Sequence, residues 1–231
     1  SSNDEVKNIG AAGTAMRFLT AYYAISSKSV LMTGTERMKN RPISILVDAL
    51  RSIGADIEYV EKEGFPPLKI NGKKLKGGEL HVQGNVSSQY LSAILMIAPY
   101  TQEGIKLVIE GDLVSRPYLQ MTLSLMQEFG VSHTWEGNVI EIKPAEYKQI
   151  EFTVENDWSA ASYWYSVIAL SDNQSVKLKY LQSESLQGDS KLLELYRPLG
   201  VETEFVEDGV VLSKNNAVVL PSIYDISLKE Q

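Results

Sequence analysis

The chain has 231 residues, 44% hydrophobic and 22% charged, with a net charge of −7, the balance of a globular protein large enough for a buried core. With no cysteine and only two histidines, His81 and His133, it excludes a disulfide framework, a thiolate zinc site and a cysteine nucleophile, and argues against a histidine-rich metal centre or a Ser-His-Asp triad. No apolar run reaches the ~18 residues of a membrane-spanning helix, SSNDEVKN is not a signal peptide, and the acidic balance disfavours a broad nucleic-acid footprint; the expectation is a cytoplasmic protein.

Along the chain, VKNIG (6–10) reads as a strand, and residues 13–25 as an apolar helix behind the glycines of GAAGTAMR. KSVLMTG (28–34) is a β-rich run. It leads through GTERMKNRP (34–42) into an amphipathic helix that Gly54 stops, with Pro42 at its first turn. A hairpin then pairs 56–61 with 67–71. The same order returns: strand 79–84, helix 87–99, β-run 105–111, a helix opened by GDLVSRP and stopped by Gly130, and a hairpin of 132–136 with 138–143. It returns again as strand 150–156, helix 158–170, β-run 175–181, a helix opened by QSESLQGDS and stopped by Gly200, and a hairpin of 202–207 with 209–213.

The helix-stop glycines recur roughly every seventy residues, so the chain reads as three β-α-β-α-β-β units of an α/β (α+β) protein. The units cover about 1–74, 75–146 and 147–216, and VVLPSIYDISLKEQ reads as the first strand of a fourth. YLSAILMIA (90–98) and ASYWYSVIAL (161–170) have little polar face, which predicts burial on most sides, and Trp158, Trp164 and Tyr165 are read as core.

The chemistry is concentrated in the loops. The first helix of each unit starts in Gly, Ser, Thr, Asn or Asp, residues that leave backbone N–H groups open to an anion. RMKNR (37–41) places three cations in five residues, Arg17 sits one turn inside its helix, and Arg116 opens another. Cations at helix N-termini oppose the dipole, so they need a ligand or a local acid. Glu36 and Asp112 offer the local alternative for single residues, and an anionic ligand accounts for the set. NVSSQY and LVSRPY add hydroxyls and an amide suited to a phosphorylated, polyhydroxylated ring. GAAGTA lacks the Lys-Ser/Thr ending of a Walker loop.

AGTAMR (12–17), RMKNRPI (37–43), FPPLKI (65–70), VSSQYLSAILM (86–96), GDLVSRPY (111–118), DWSAASY (157–163) and LQGDS (186–190) together resemble the EPSP synthase (3-phosphoshikimate 1-carboxyvinyltransferase) family. The resemblance implies two lobes of three β-α-β-α-β-β units each, with three of the six present here. Residues 1–148 would be two units of the first lobe, and 149–231 would open the second. It implies transfer of the enolpyruvyl group of phosphoenolpyruvate to the 5-hydroxyl of shikimate 3-phosphate, without metal or cofactor, by a monomer. By position Gly13, Arg41 and Gln89 would contact phosphoenolpyruvate, and Ser87, Ser88, Gln89, Ser115 and Tyr118 shikimate 3-phosphate. Thr14, Arg17, Arg37, Arg116 and Asp157 would support them, with Asp157 at the lobe junction.

Ala11, Phe18 and Arg116 depart from the family's frequent residues, and the family's catalytic acid–base groups fall outside the chain. It therefore reads as a central fragment, inactive alone. Two alternatives are a non-catalytic phosphosugar-binding module and the sister enolpyruvyl transferase acting on UDP-N-acetylglucosamine; the missing loop cysteine opposes the second.

Overall fold

A computed structural model describes residues 5–113 and 116–224. The chain forms two compact units, Ser1–Ile150 and Glu151–Gln231.

In the first unit, β1 (Glu5–Asn8), α1 (Gly13–Ile25), β2 (Ser29–Thr33), α2 (Glu36–Lys39), α3 (Ser44–Ser52), β3 (Asp56–Tyr59) and β4 (Leu68–Asn71) make one module. A second follows with β5 (Gly78–Gln83), α4 (Ser88–Ile97), β6 (Ile105–Glu110), α5 (Arg116–Glu128), β7 (Thr134–Glu136) and β8 (Val139–Ile142). The sheets have the same topology, β1-β2-β4-β3 and β5-β6-β8-β7. In each, the first two strands run parallel across a helix and the other pairs are antiparallel. Val30 and Met32, Leu68 and Ile70, Leu107 and Ile109, and Ile140 and Ile142 are buried at every second position, as one-sided sheets require.

The helices cover those faces. Helix α4 contacts both α1 and α5, so every residue from Tyr90 to Leu95 is buried. Its hydroxyl at Ser92 is matched by Thr122 Oγ1 of α5 at 2.8 Å, which satisfies both groups inside an apolar contact. Gly54 and Gly130 end their helices at φ +104° and +87°, the left-handed conformation that a Cβ disfavours.

The second helix of the first module is not continuous from residue 34 to Gly54. Pro42 lies between α2 and α3, two residues ahead of Ser44, rather than in the first turn. Proline lacks an N–H and pushes the residue before it out of the helical region, so Asn40–Ile43 becomes a loop. Asn40 holds its start through Nδ2 to Glu36 O at 2.8 Å. Arg41 lies in this loop, ahead of α3, as its place before Pro42 leads one to expect.

The second unit contains α6 (Trp158–Ala169), β9 (Ser175–Lys179), α7 (Leu192–Tyr196), β10 (Val201–Val206) and β11 (Gly209–Lys214), with short 3-10 turns at Gly188–Lys191 and Arg197–Leu199 flanking α7. The sheet order is β10-β11-β9, with both pairs antiparallel. Residues 150–156 do not form the expected leading strand beside β9. Asn156 reaches that edge, with its N–H to Tyr180 O at 2.8 Å and Nδ2 to Lys179 O at 2.9 Å. Glu155 next to it is turned into a loop network, which prevents the alternation needed for a ladder. The expected strand after 216 is also absent through 224, and its remainder lies outside the described residues.

Burial of α6 departs from expectation as well. Trp158, Ala161, Tyr165 and Ile168 face the sheet and are buried. Tyr163, Trp164, Val167 and Leu170 are exposed, Leu170 by 89%. Among the described residues of the second unit no helix packs against that side as α1 and α5 flank α4, and Trp164 is exposed there.

Lys214 ties this unit together. Its Nζ donates to Ala169 O at 2.7 Å and Leu199 O at 3.1 Å, joining the carboxyl ends of α6 and of the turn after α7. A cation there complements both helix dipoles and two otherwise open carbonyls. Lys214→Met should lower the stability of residues 151–231 by about 1–2 kcal/mol; chemical denaturation followed by tryptophan fluorescence measures it, and an unchanged midpoint would refute the capping role.

Candidate functional site

Helix α1 begins at Gly13 with Ala12 as its cap residue, and no side chain bonds its first amides. The Ser87 side chain likewise leaves the start of α4 uncapped. These two open helix starts are joined, since Gln89 Nε2 donates to Thr14 Oγ1 at 3.1 Å. The Asn40–Ile43 loop closes the third side, bringing the Arg41 guanidinium against the Cα of Gly13. A Cβ at residue 13 would lie 2.6 Å from Arg41 Cζ and closer still to Nη1. A side chain at residue 13 would require that guanidinium to shift.

Gly13, Met16, Arg17, Met38, Arg41, Pro42 and Ile43 line a small open pocket of about 170 Å³. That space includes open solvent, so the pocket is a shallow recess at the arginine pair rather than an enclosed cavity. Two arginines share an apolar wall of two methionines and an isoleucine, and the lining contains no carboxylate. Neither Arg17 nor Arg41 makes an ion pair among the described residues. Arg17 Nε is buried without a hydrogen-bond partner. A buried donor left open costs about 1–3 kcal/mol unless something accepts from it. In a chain of net charge −7 this is a locally positive site, assembled from two unpaired cations and the N-terminal end of α1.

The sequence-level candidates divide around this pocket. Gly13, Thr14, Arg17, Arg41 and Gln89 come together, with Ser87 and Ser88 at the α4 start beside Gln89. Ser115 lies outside the described residues. Arg116 stacks over the Trp135 ring, 4.2 Å from its centroid, and does not line the pocket. Tyr118 is 57% exposed on the first turn of α5 and makes no side-chain hydrogen bond with the pocket group among the described residues. Arg37 is exposed and unpaired among the described residues, whereas Lys39 of the same cluster is held by Glu36 and Glu61, the local explanation for its charge.

Asp157 belongs to the second unit, where it caps α6 by accepting from Ser159 N at 2.8 Å. The Trp158 amide is taken by Gln187 Oε1 at 2.9 Å, and Ser159 Oγ bonds Asp189. Glu155 gathers Trp158 Nε1, Gln182 N, Ser185 Oγ and Gln187 Nε2 within 3.1 Å. The third helix start is therefore closed by the protein's own acceptors, unlike those of α1 and α4. Neither histidine lines the pocket; His81 is bonded by Glu79 and Glu110 on an exposed strand face, and their carboxylates raise its pKa. Among the described residues no group of acids and histidines is arranged to hold a metal ion, and no helix is long and apolar enough to cross a membrane.

A family model described as EPSP synthase (3-phosphoshikimate 1-carboxyvinyltransferase) matches residues 1–226. The chain belongs to the EPSP synthase family. Its relatives include the 3-phosphoshikimate 1-carboxyvinyltransferase of Bacteroides fragilis, 52% identical over 217 residues, covering 94% of this chain and 53% of that protein. The protein of the same name from Photobacterium damsela subsp. piscicida is 42% identical over 206 residues, covering 88% and 48%. This member of the EPSP synthase family thus spans about half the length of the curated relatives it matches. Its fold is shared with a solved EPSP synthase from Acinetobacter baumannii at a TM-score of 0.68 and 21% identity, over 90% of this chain and 46% of that one.

The residue that motif reading passed over is Tyr90. It lies in the apolar run YLSAILMIA and is 7% exposed. Its hydroxyl donates to Pro42 O at 2.8 Å and its ring lies under Arg17, 5.1 Å from Cζ to the centroid. The one available signal was its hydroxyl, a polar tip within an otherwise apolar helix.

Proposed function

We propose that the protein transfers the enolpyruvyl group of phosphoenolpyruvate to the 5-hydroxyl of shikimate 3-phosphate and releases phosphate. The observation that carries this reading is the pair of unpaired arginines beside the uncapped start of α1. Phosphoenolpyruvate is a small molecule with two anionic groups, and two guanidiniums with free amides match it. Gly13, Arg41 and Gln89 are assigned to phosphoenolpyruvate, with Thr14 and Arg17 supporting them. Ser87, Ser88, Gln89, Ser115 and Tyr118 are assigned to shikimate 3-phosphate. Arg37 and Arg116 supply background positive charge, and Asp157 a position at the junction of two lobes, to which residues 1–148 and 149–231 are allotted.

In the reaction the methylene carbon of phosphoenolpyruvate gains a proton, the 5-hydroxyl gives up its proton as its oxygen adds at C2, the phosphate leaves with the electrons of its bond to C2, and the methyl group so formed loses a proton to restore the carbon–carbon double bond. This chain's residues bind and orient the phosphoenolpyruvate charges and stabilise the departing phosphate; proton transfer is assigned to none of them. Family membership and the charge of −7 support a monomeric cytoplasmic protein that takes small molecules rather than nucleic acid and uses no metal or organic cofactor.

The test is phosphate release from phosphoenolpyruvate plus shikimate 3-phosphate by the full-length protein. Release that requires both substrates supports the reading; binding of shikimate 3-phosphate with no release would point to a non-catalytic phosphosugar module. Replacing Ser87 and Ser88 together by alanine should weaken shikimate 3-phosphate binding about tenfold, as expected for one or two lost hydrogen bonds to a charged ligand. Normal affinity by calorimetry would remove both serines from the site.

A further inference from the structure

The two pocket arginines come from different elements, Arg17 from α1 and Arg41 from the loop made by Pro42. The Arg41 guanidinium rests against Gly13 of α1, and a third element, α4, touches both arginines' surroundings through one side chain. The Tyr90 hydroxyl donates to the carbonyl of residue 42 at 2.8 Å. Proline has no N–H, so that carbonyl is the only hydrogen-bonding group residue 42 has. The bond is a tether on the residue immediately after Arg41. The Tyr90 ring carries the Arg17 guanidinium at 5.1 Å from its centroid, where the negative ring face attracts the cation. This seat leaves Arg17 Nε buried with no partner. Tyr90 itself is 7% exposed and packed within the core, so it is a fixed point.

We propose that Tyr90 is a positioning residue that holds Arg17 and Arg41 as one pre-set pair for a small dianion, its hydroxyl setting Arg41 and its ring setting Arg17. The inference rests on the reading of this pocket as the anion site and adds how its two cations are kept in register. Pre-setting matters because a guanidinium on a free loop must be ordered at each binding event, and that entropy is subtracted from affinity. It also separates the functions of one side chain. Removing the hydroxyl releases the Arg41 loop and leaves the Arg17 seat, while removing the ring releases both.

The test uses the full-length protein, with inorganic phosphate as the probe and arginine Nε–H signals in nitrogen-15 NMR as the readout. In the unaltered protein phosphate should shift both the Arg17 and Arg41 signals. Tyr90→Phe should weaken phosphate binding about fivefold, the value of one hydrogen bond, and broaden the Arg41 signal while leaving Arg17 in place. The loss should vanish when Arg41→Lys is already present, because coupled residues are not additive. Tyr90→Leu should cost more and disturb both signals. A purely structural role for Tyr90 would lower the unfolding midpoint of Tyr90→Phe without altering phosphate affinity, and that result overturns the proposal. So does a fivefold loss that persists undiminished beside Arg41→Lys, or a phosphate titration that moves neither arginine. If the protein turns over no phosphoenolpyruvate but the Tyr90 pattern holds, the proposed reaction fails and the positioning role stands. If turnover is present and the pattern is missing, only the positioning role fails.

Discussion

Arg41→Ala is expected to raise the Michaelis constant of the full-length protein for phosphoenolpyruvate at least tenfold, about 1.4 kcal/mol, with a much smaller change for shikimate 3-phosphate. The lining of the pocket contains no acid, so the lost guanidinium is not compensated by a freed neighbour, and Arg17 alone must face the ligand. The companion change is Gly13→Ala. Its Cβ would meet Arg41 Cζ at 2.6 Å, well inside contact, and the guanidinium is the only part of that encounter free to move. Displacing it should reproduce part of the Arg41→Ala effect while leaving the charge in the protein. Initial rates at varied phosphoenolpyruvate measure both. An unchanged Michaelis constant in Arg41→Ala would take this residue out of the site. A Gly13→Ala effect that adds in full to that of Arg41→Ala would show that the two residues do not act through one contact.

Trp158→Ala is expected to destabilise residues 151–231 by about 4 kcal/mol, the cost typical of deleting a buried large aromatic. Trp158 is completely buried, and its unit has a small core of which it is the largest member. Its indole N–H is also one of the donors on the Glu155 carboxylate, at 2.8 Å, so the truncation removes a hydrogen bond along with the volume. A loss of that size consumes much of the ~5–15 kcal/mol that keeps a domain folded. Limited proteolysis should then cut within 151–231, while the first unit, with a core of its own around α4, remains resistant. Equal susceptibility of both units, or of neither, would contradict the division of the core.

The parts of this molecule that were legible in the sequence are those governed by local chemistry. Helix α1 spans Gly13–Ile25 as expected, because two glycines open it and Ser26 closes it with Oγ on Tyr23 O. Gly54, Gly130 and Gly200 all take positive φ where the repeat placed them. The misreadings share a different cause. IEFTVEN alternates like a strand, yet Asn156 meets just the end of β9 at Lys179 while Glu155 turns into a loop network, so no ladder forms. The apolar run of α6 carries no mark of which side a neighbour will cover, so Trp164 and Leu170 read as core and are exposed. Pro42 is compatible with either a first helical turn or a break, and the choice between them decides where Arg41 points. Within the site, the residue types and their convergence at Gly13 were readable; the coupling through Tyr90 depends on distances between three elements and was not.

Strand β9 borders its sheet with no further strand outside it among the described residues, and only Asn156 covers its end. Such a border is where a foreign chain could add the next rung of an intermolecular ladder and begin a fibril. The sequence SVKLK answers this with two exposed lysines, Lys177 held by Asp208 and Lys179 beside it, so a second copy approaching edge to edge would meet a charged border. A modification that neutralised Lys179 would make that border easier to extend while leaving the pocket chemistry untouched.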